Sequence, residues 1–183
     1  DRLNQAMNLS ARNNNLAAVV SLSLSAYPNV FGVEGADAAE GMLKQASERL
    51  ESVVRSVDTI GVAFNEQALT LSRIAYNELA MLIVDIDGVE ALPKIISRVT
   101  KALEAPFQCG SSEYANRVHC GIALFPHDGV EADGLIRNAT LARSYAERRS
   151  RLASGNAYFS KSLHQLAIQN AQIASALRTA IDH

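Results

Sequence analysis

Hydrophobic and polar positions along the chain follow two periods, which divide it into predicted strands and helices. An apolar run that partly alternates with serine, as at 16–24, is typical of a strand. Apolar residues that recur every three or four positions opposite charged ones, as at 37–54, indicate an amphipathic helix. The predicted order is a strand at 16–24, a helix at 37–54, two strands within 58–87, a helix at 88–103, a strand at 118–125, a helix at 133–149 and a short strand at 157–159.

The stretch 70–87 predicts a hairpin. An alternating arm leads to the polar tripeptide Tyr76, Asn77 and Glu78, and an almost wholly apolar arm follows from 79 to 84. Asn tolerates the left-handed backbone of short hairpin turns, so it suits the tip. The apolar arm is too short to span a membrane and suits a central strand.

This order predicts an α+β domain in a βαββαβ arrangement, ferredoxin-like or nucleotide-cyclase-like, with an antiparallel sheet and helices packed on one face. Pro28 is poorly placed inside a helix, so it predicts a turn after the first strand. Residues 1–13 are expected to form the end of a helix. We expect one domain at 1–159 and a C-terminal linker helix at 160–183.

Composition narrows the class of partner. The chain has 183 residues, 17 Lys and Arg, 19 Asp and Glu, and a net charge of −2. A nearly neutral chain gives no electrostatic case for binding nucleic acid or an anionic membrane. We find no signal peptide or membrane span and expect a cytoplasmic setting, with the abrupt start at Asp1 consistent with a piece of a longer protein.

Four short motifs carry a family resemblance. They are the stretches 121–129 (GIALFPHDG) and 135–139 (LIRNA), the pair Pro106-Phe107, and the RxxDT sequence at 55–59. Because these four motifs follow one another along the sequence as they do in the family, the chain resembles the GGDEF domain of bacterial diguanylate cyclases. The resemblance implies a nucleotide-cyclase-like fold and, in active members, synthesis of cyclic di-GMP from two molecules of GTP.

The resemblance also identifies an altered motif. It places Ala75, Tyr76, Asn77, Glu78 and Leu79 on the family's Gly-Gly-Asp-Glu-Phe. The family's glycines let the backbone lie against the triphosphate, whereas alanine and tyrosine bring side chains into that space. The family's aspartate binds Mg²⁺, and a neutral asparagine at that position weakens a site for a hard dication.

Other family positions are altered as well. The resemblance places a second metal carboxylate at Ser23, a lysine at Pro28 or its neighbour Asn29, and the guanine-reading asparagine at Phe31. A phosphate-binding lysine corresponds to Glu147. Only Glu40 keeps the acidic partner for the guanine edge and is a possible residual nucleotide contact. We therefore expect no bound metal or other cofactor.

Arg55 and Asp58 keep the form of the family's RxxD product-inhibition site, but an extra segment separates them from the motif. The simpler interpretation is an ordinary surface ion pair, and we favour it over a remnant of a cyclic di-GMP site.

Further candidates have simple structural explanations. We expect Glu78 to be a solvated turn carboxylate, Asp85 and Asp87 to favour the start of the following helix, and the basic run 148–151 to be a solvated helix end.

The pattern of the C-terminal segment 160–183, called the tail below, predicts an interaction with another domain or chain. Apolar residues Leu163, Leu166, Ile173, Leu177 and Ile181 fall on one helical face. We expect a neighbouring domain or a second copy of the chain to cover this stripe. The sequence around Leu177 resembles the LRxAI that precedes EAL phosphodiesterase domains.

The sequence thus predicts a catalytically inactive GGDEF-type regulatory or dimerisation domain, with an EAL domain in the same polypeptide as its partner. One alternative is a GTP-binding allosteric module or a weak cyclase that uses Glu40 and Glu78. Another is an interaction scaffold without nucleotide recognition.

Overall fold

The computed structural model describes residues 2–13, 15–57, 69–86 and 88–162, together with 164, 165, 169, 172 and 173. Asp58, the Arg55 side chain and four of the five residues of the predicted tail stripe lie outside the described part. The fifth, Ile173, is helical and 58% exposed.

Up to residue 158, five helices and seven strands make up the described fold. They are α1 (Arg2–Asn13), β1 (Leu16–Leu24), α2 (Tyr27–Glu34), α3 (Ala36–Val57), β2 (Leu69–Ala75), β3 (Glu78–Ile86), α4 (Leu92–Glu104), β4 (Phe107–Cys109), β5 (Ser112–Tyr114), β6 (Val118–Phe125), α5 (Ala132–Arg149) and β7 (Gly155–Tyr158). None of these helices is long and apolar enough, over its described residues, to cross a lipid bilayer.

The main sheet has the strand order β2-β3-β1-β6-β7. All neighbouring strands are antiparallel except β6 and β7, which are parallel. The βαββαβ order of the main sheet is confirmed, and β1 and β6 have the predicted bounds. The sequence did not predict the separate hairpin of β4 and β5.

Helices cover both faces of the sheet, whereas we expected one. The evidence lies in two neighbouring residues of β6, whose side-chain positions point to opposite faces. The Cys120 sulfur lies 3.7 Å from the Thr100 hydroxyl of α4, while a Cβ on Gly121 would lie 2.0 Å from the Ala139 carbonyl oxygen of α5. Coverage on both sides explains why β1, an antiparallel central strand, is apolar or small along nearly its whole length.

Two predictions of local structure are wrong. Pro28 does not mark a turn, because it lies in the first turn of α2, where a proline leaves no helical hydrogen bond unmade. Asp85 does not begin a helix, because it lies within β3, and a short 3-10 turn at Val89–Ala91 separates that strand from α4. Asp87, which shared this prediction, lies outside the described residues.

Candidate functional site

The candidate site lies at the end of the sheet where β1 finishes and the β2–β3 hairpin turns. Ser23 of β1 is paired with Glu78 on β3 and with His119 on β6. The Leu24 amide donates a hydrogen bond of 3.4 Å to the Asn77 carbonyl oxygen, which fixes the hairpin tip against the end of β1. The strand pairing therefore brings Ser23 and Asn77, the two positions of the expected metal carboxylates, to one place.

A buried arginine fills this place. Arg143 of α5 has a side chain that is 6% exposed, and its guanidinium group forms an ion pair with Glu78. It also donates to the Ser21 hydroxyl at 3.2 Å and to a Glu147 carboxylate oxygen at 3.0 Å. The protein's own cation thus neutralises two carboxylates beside the end of β1.

Glu78 is not the solvated turn carboxylate that we expected. It is the first residue of β3, its side chain is only 21% exposed, and it is paired with Arg143. Glu147, at the position that the resemblance gives to a lysine, is half exposed and belongs to the same cluster.

The resident groups do not fit a dication. The residues at the two carboxylate positions, Ser23 and Asn77, are neutral, and the guanidinium of Arg143 repels a second cation. Among the described residues, no group of three or more His, Cys, Asp or Glu side chains could hold a metal ion.

Two polar atoms near the cluster lack partners within the described part of the chain. They are the Ser23 hydroxyl and the Nδ1 atom of His119, on residues that are 2% and 3% exposed. The two residues face each other across β1 and β6, and the other ring nitrogen of His119 lies 2.9 Å from the Ser150 carbonyl oxygen at the end of α5. This polar strip lies between the strands and α5, next to Arg143.

A second part of the site is aromatic. The Tyr76 ring contacts the rings of Tyr27 and Phe31 edge to face, with centroid distances of 4.8 and 5.1 Å. Tyr27 is buried, whereas Phe31 and Tyr76 are 41% and 47% exposed. Partial burial raises the pKa of the Tyr76 hydroxyl, so this ring is neutral at physiological pH. The position that the resemblance gives to a glycine therefore carries a packed ring.

Arg73 holds the aromatic part in place. Its guanidinium donates hydrogen bonds of 2.9 Å to the Tyr27 hydroxyl and to the Tyr76 carbonyl oxygen. It also forms an ion pair with Glu40, which raises the pKa of Arg73. Glu40, the one acid that the resemblance retains for a nucleotide, is thus engaged by a neighbouring cation.

A buried thiol and the basic run 148–151 have structural explanations. Burial raises the pKa of the Cys120 thiol to about 12, so the thiolate is essentially absent at neutral pH. Arg148, Arg149 and Arg151 are exposed at the end of α5 and beyond it, which confirms the prediction of a solvated helix end.

Sequence reasoning missed Arg143, although a signal was present. The buried face of α5 recurs at Leu135, Ala139, Ala142 and Ala146, and Arg143 lies on that face. A charged residue at an apolar position of an amphipathic helix needs a buried partner, and Glu78 is that partner.

Comparison with known proteins gives a family and a fold. The family model described as "Diguanylate cyclase, GGDEF domain" matches residues 1–152. The bifunctional diguanylate cyclase/cyclic di-GMP phosphodiesterase MucR of Pseudomonas aeruginosa is 27% identical over 182 residues, which is 100% of this chain and 24% of MucR. The cyclic di-GMP phosphodiesterase NbdA of the same organism is 26% identical over 90% of this chain, which spans 19% of NbdA.

The fold agrees with a solved structure. The GGDEF domain of YfiN, also called TpbB, from Pseudomonas aeruginosa superimposes with a TM-score of 0.76 at 18% sequence identity. The match covers 91% of this chain and 90% of that domain, so the two share the same architecture.

Proposed function

We propose that this chain, which belongs to the GGDEF domain family of diguanylate cyclases, is a catalytically inactive regulatory domain. It would be part of a cyclic di-GMP signalling protein. The observation that carries this proposal is the position of Arg143, whose guanidinium pairs with Glu78 beside the neutral residues Ser23 and Asn77.

The chemistry of the family explains why this arrangement favours inactivity. Phosphoryl transfer to a ribose hydroxyl depends on cations that neutralise the developing charge on the phosphates and hold the reacting oxygens in line. An arginine that already satisfies Glu78 and Glu147 cannot be displaced without leaving its charge buried and unpaired.

The aromatic part of the site supports the same proposal. The ring of Tyr76 lies between Tyr27 and Phe31, at a position where the family has a glycine that admits the triphosphate. The guanidinium of Arg73 fixes this ring through the Tyr76 carbonyl oxygen. A nucleotide would have to displace both groups.

We expect the purified domain to form no cyclic di-GMP from GTP with either Mg²⁺ or Mn²⁺. The physical reason is the joint loss of carboxylates at Ser23 and Asn77, each of which weakens binding of a hard dication. Chromatography of the reaction mixture measures the product, and a GGDEF domain of known cyclase activity serves as the positive control. Turnover by the nucleotide-free domain would refute the proposal.

Restoring the motif alone is expected to give no activity. The triple variant Ala75→Gly, Tyr76→Gly and Asn77→Asp leaves Ser23 and Arg143 in place, and active-site groups act as a unit rather than additively. The same assay tests this variant, with circular dichroism to confirm that it is folded. Substantial turnover would show that the motif residues, and not the Arg143 cluster, account for inactivity.

The context of the relatives supports a regulatory role. MucR is named as both a diguanylate cyclase and a cyclic di-GMP phosphodiesterase, and NbdA as a cyclic di-GMP phosphodiesterase; each is at least four times as long as this chain. This supports an EAL phosphodiesterase domain in the same polypeptide as the partner, with this domain modulating its activity. The predicted apolar stripe of the C-terminal helix supports dimerisation as part of the same role.

The alternative of a GTP-binding allosteric module depends on Glu40. In the structure Glu40 is paired with Arg73, so binding of guanine at this carboxylate would first break that pair. Calorimetric titration with GTP separates the two proposals, because an inactive domain that still responds to GTP gives a saturable heat.

A further inference from the structure

The edge strand β7 leaves part of its backbone unpaired. It lies at the end of the main sheet and, among the described strands, pairs only with β6. The Phe159 amide donates a hydrogen bond of 2.7 Å to the Ile122 carbonyl oxygen of β6. Because backbone groups of a strand alternate in direction, Asn156 and Tyr158 turn their amide and carbonyl groups away from β6.

A groove runs along each side of this edge. On the α5 side, a cavity of about 590 Å³ is lined by Tyr145, Ala146, Arg149, Ser150, Ser160 and Ser162, together with residues 155–158 of β7. On the α4 side, a cavity of about 530 Å³ is lined by Pro93, Ile96, Ser97, Thr100, Lys101 and Glu104, with Asn156 and Tyr158.

The faces of β7 match these two grooves. A Cβ on Gly155 would lie 3.1 Å from the Ser150 Cβ, so Gly155 and Ala157 face α5. Asn156 is in register with Cys120, whose sulfur contacts α4, so Asn156 and Tyr158 face α4. A strand added beside β7 would place its side chains alternately in the two grooves.

The charges of the grooves define the chemistry of the added strand. Arg149 is exposed in the α5-side groove, and no acidic residue lines that groove or forms an ion pair with it among the described residues. The α4-side groove contains both Lys101 and Glu104, and the half-exposed ring of Tyr158 offers it an apolar surface.

We propose that the β7 edge is a docking site for an extended peptide segment of a partner protein, with acidic residues facing Arg149 and apolar residues facing Tyr158. The segment adds to the sheet through backbone hydrogen bonds with Asn156 and Tyr158, and a groove between an edge strand and a helix holds its alternate side chains. We expect the added segment to be acidic because Arg149 has no ion-pair partner among the described residues.

The test uses capped, fluorescein-labelled heptapeptides and the full 183-residue chain. The probe has the sequence TVEVEVT, and fluorescence anisotropy measures its binding. We expect saturable binding of this peptide and none of TVKVKVT, which reverses the charge, or of TVEPEVT, in which proline removes a central backbone donor.

Two variants of the chain complete the experiment. Arg149→Glu is expected to weaken binding of TVEVEVT about tenfold, because it replaces an attractive charge by a repulsive one. Arg148→Glu is the matched control, since Arg148 is exposed on the same helix but lines neither groove, and we expect a change of less than about twofold. Circular dichroism confirms that both variants are folded.

Several outcomes overturn the proposal. Absence of TVEVEVT binding at millimolar peptide would exclude a site at Arg149. Equal affinity of the Arg149→Glu and Arg148→Glu variants for this peptide would exclude it as well. Equal binding of the proline peptide would indicate a charged surface without strand addition. Sedimentation that shows a dimer of the chain, dissociated by Arg149→Glu, would assign this edge to a second copy.

Discussion

Replacing Arg143 with alanine is expected to lower the free energy of unfolding by about 3 kcal/mol. The substitution removes the partner of Glu78, a carboxylate that is mostly buried, and takes a donor from the Ser21 hydroxyl. An unpaired buried charge costs more than the net value of the pair, because neither water nor another cation reaches it easily. Urea denaturation followed by circular dichroism measures the loss.

Two further variants identify the cause of this loss. Arg148→Ala removes an exposed arginine from the same helix and is expected to change stability by less than about 0.5 kcal/mol. In the double variant Arg143→Ala with Glu78→Ala, the carboxylate is gone as well, so the two losses should be non-additive by about 1–3 kcal/mol. Additive losses would show that Arg143 stabilises by packing and not through the ion pair.

The Arg143 cluster also bears on how an altered site stays folded. The end of β1 carries buried polar groups, including the hydroxyls of Ser21 and Ser23. The guanidinium satisfies one hydroxyl and two carboxylates with a group that the chain itself carries. The ion pair between Arg143 and Glu78 therefore holds the hairpin tip against α5.

Strands β1 and β6 of the main sheet were predictable because their patterns are local. The apolar run of β1 and the small and apolar residues of β6 gave the correct bounds, since burial of a central strand leaves a continuous signal. The turn at Asn77 was predictable from its chemistry. The coverage of both faces was not, because a continuous apolar strand does not reveal how the helices are divided between its two sides.

Helix α2 was missed for a different reason. It has eight residues, and a proline at its start argues against a helix unless that position is recognised as the first turn. Its burial of Tyr27 and Val30 comes from the tertiary fold and not from a periodic pattern, which eight residues are too few to show.

The resemblance identified positions of the candidate site, but the contacts among its residues were not predictable. Comparison with a motif shows that Ser23 and Asn77 lack carboxylates. It does not show that Arg143 pairs with Glu78, because these residues are 65 positions apart and come together only when α5 packs on β1 and β6. The pairing of Arg73 with Glu40 was missed for the same reason.

The packing of α5 on the sheet depends on one glycine. Gly121 lies where the backbone of β6 meets α5, and a Cβ there would lie 2.0 Å from the Ala139 carbonyl oxygen and 2.1 Å from the Arg143 amide nitrogen. Both are backbone atoms, so no side-chain rotation can relieve the overlap. A methyl group needs more than 3 Å, and the whole helix would have to move.

Gly121→Ala is therefore expected to lower the free energy of unfolding by more than about 4 kcal/mol, or to prevent folding. Gly41→Ala is the matched control, because a Cβ at this helical position meets no atom within 4 Å apart from its own helical turn, and alanine favours a helix. It should be neutral or stabilising. Urea denaturation measures both variants. If Gly121→Ala folds, moving α5 should already separate Arg143 from Glu78, so adding Arg143→Ala should cost less than it does in the unaltered chain. A Gly121→Ala variant as stable as the unaltered chain would contradict the close packing of α5 on β6 and, with it, the position of Arg143 in the site.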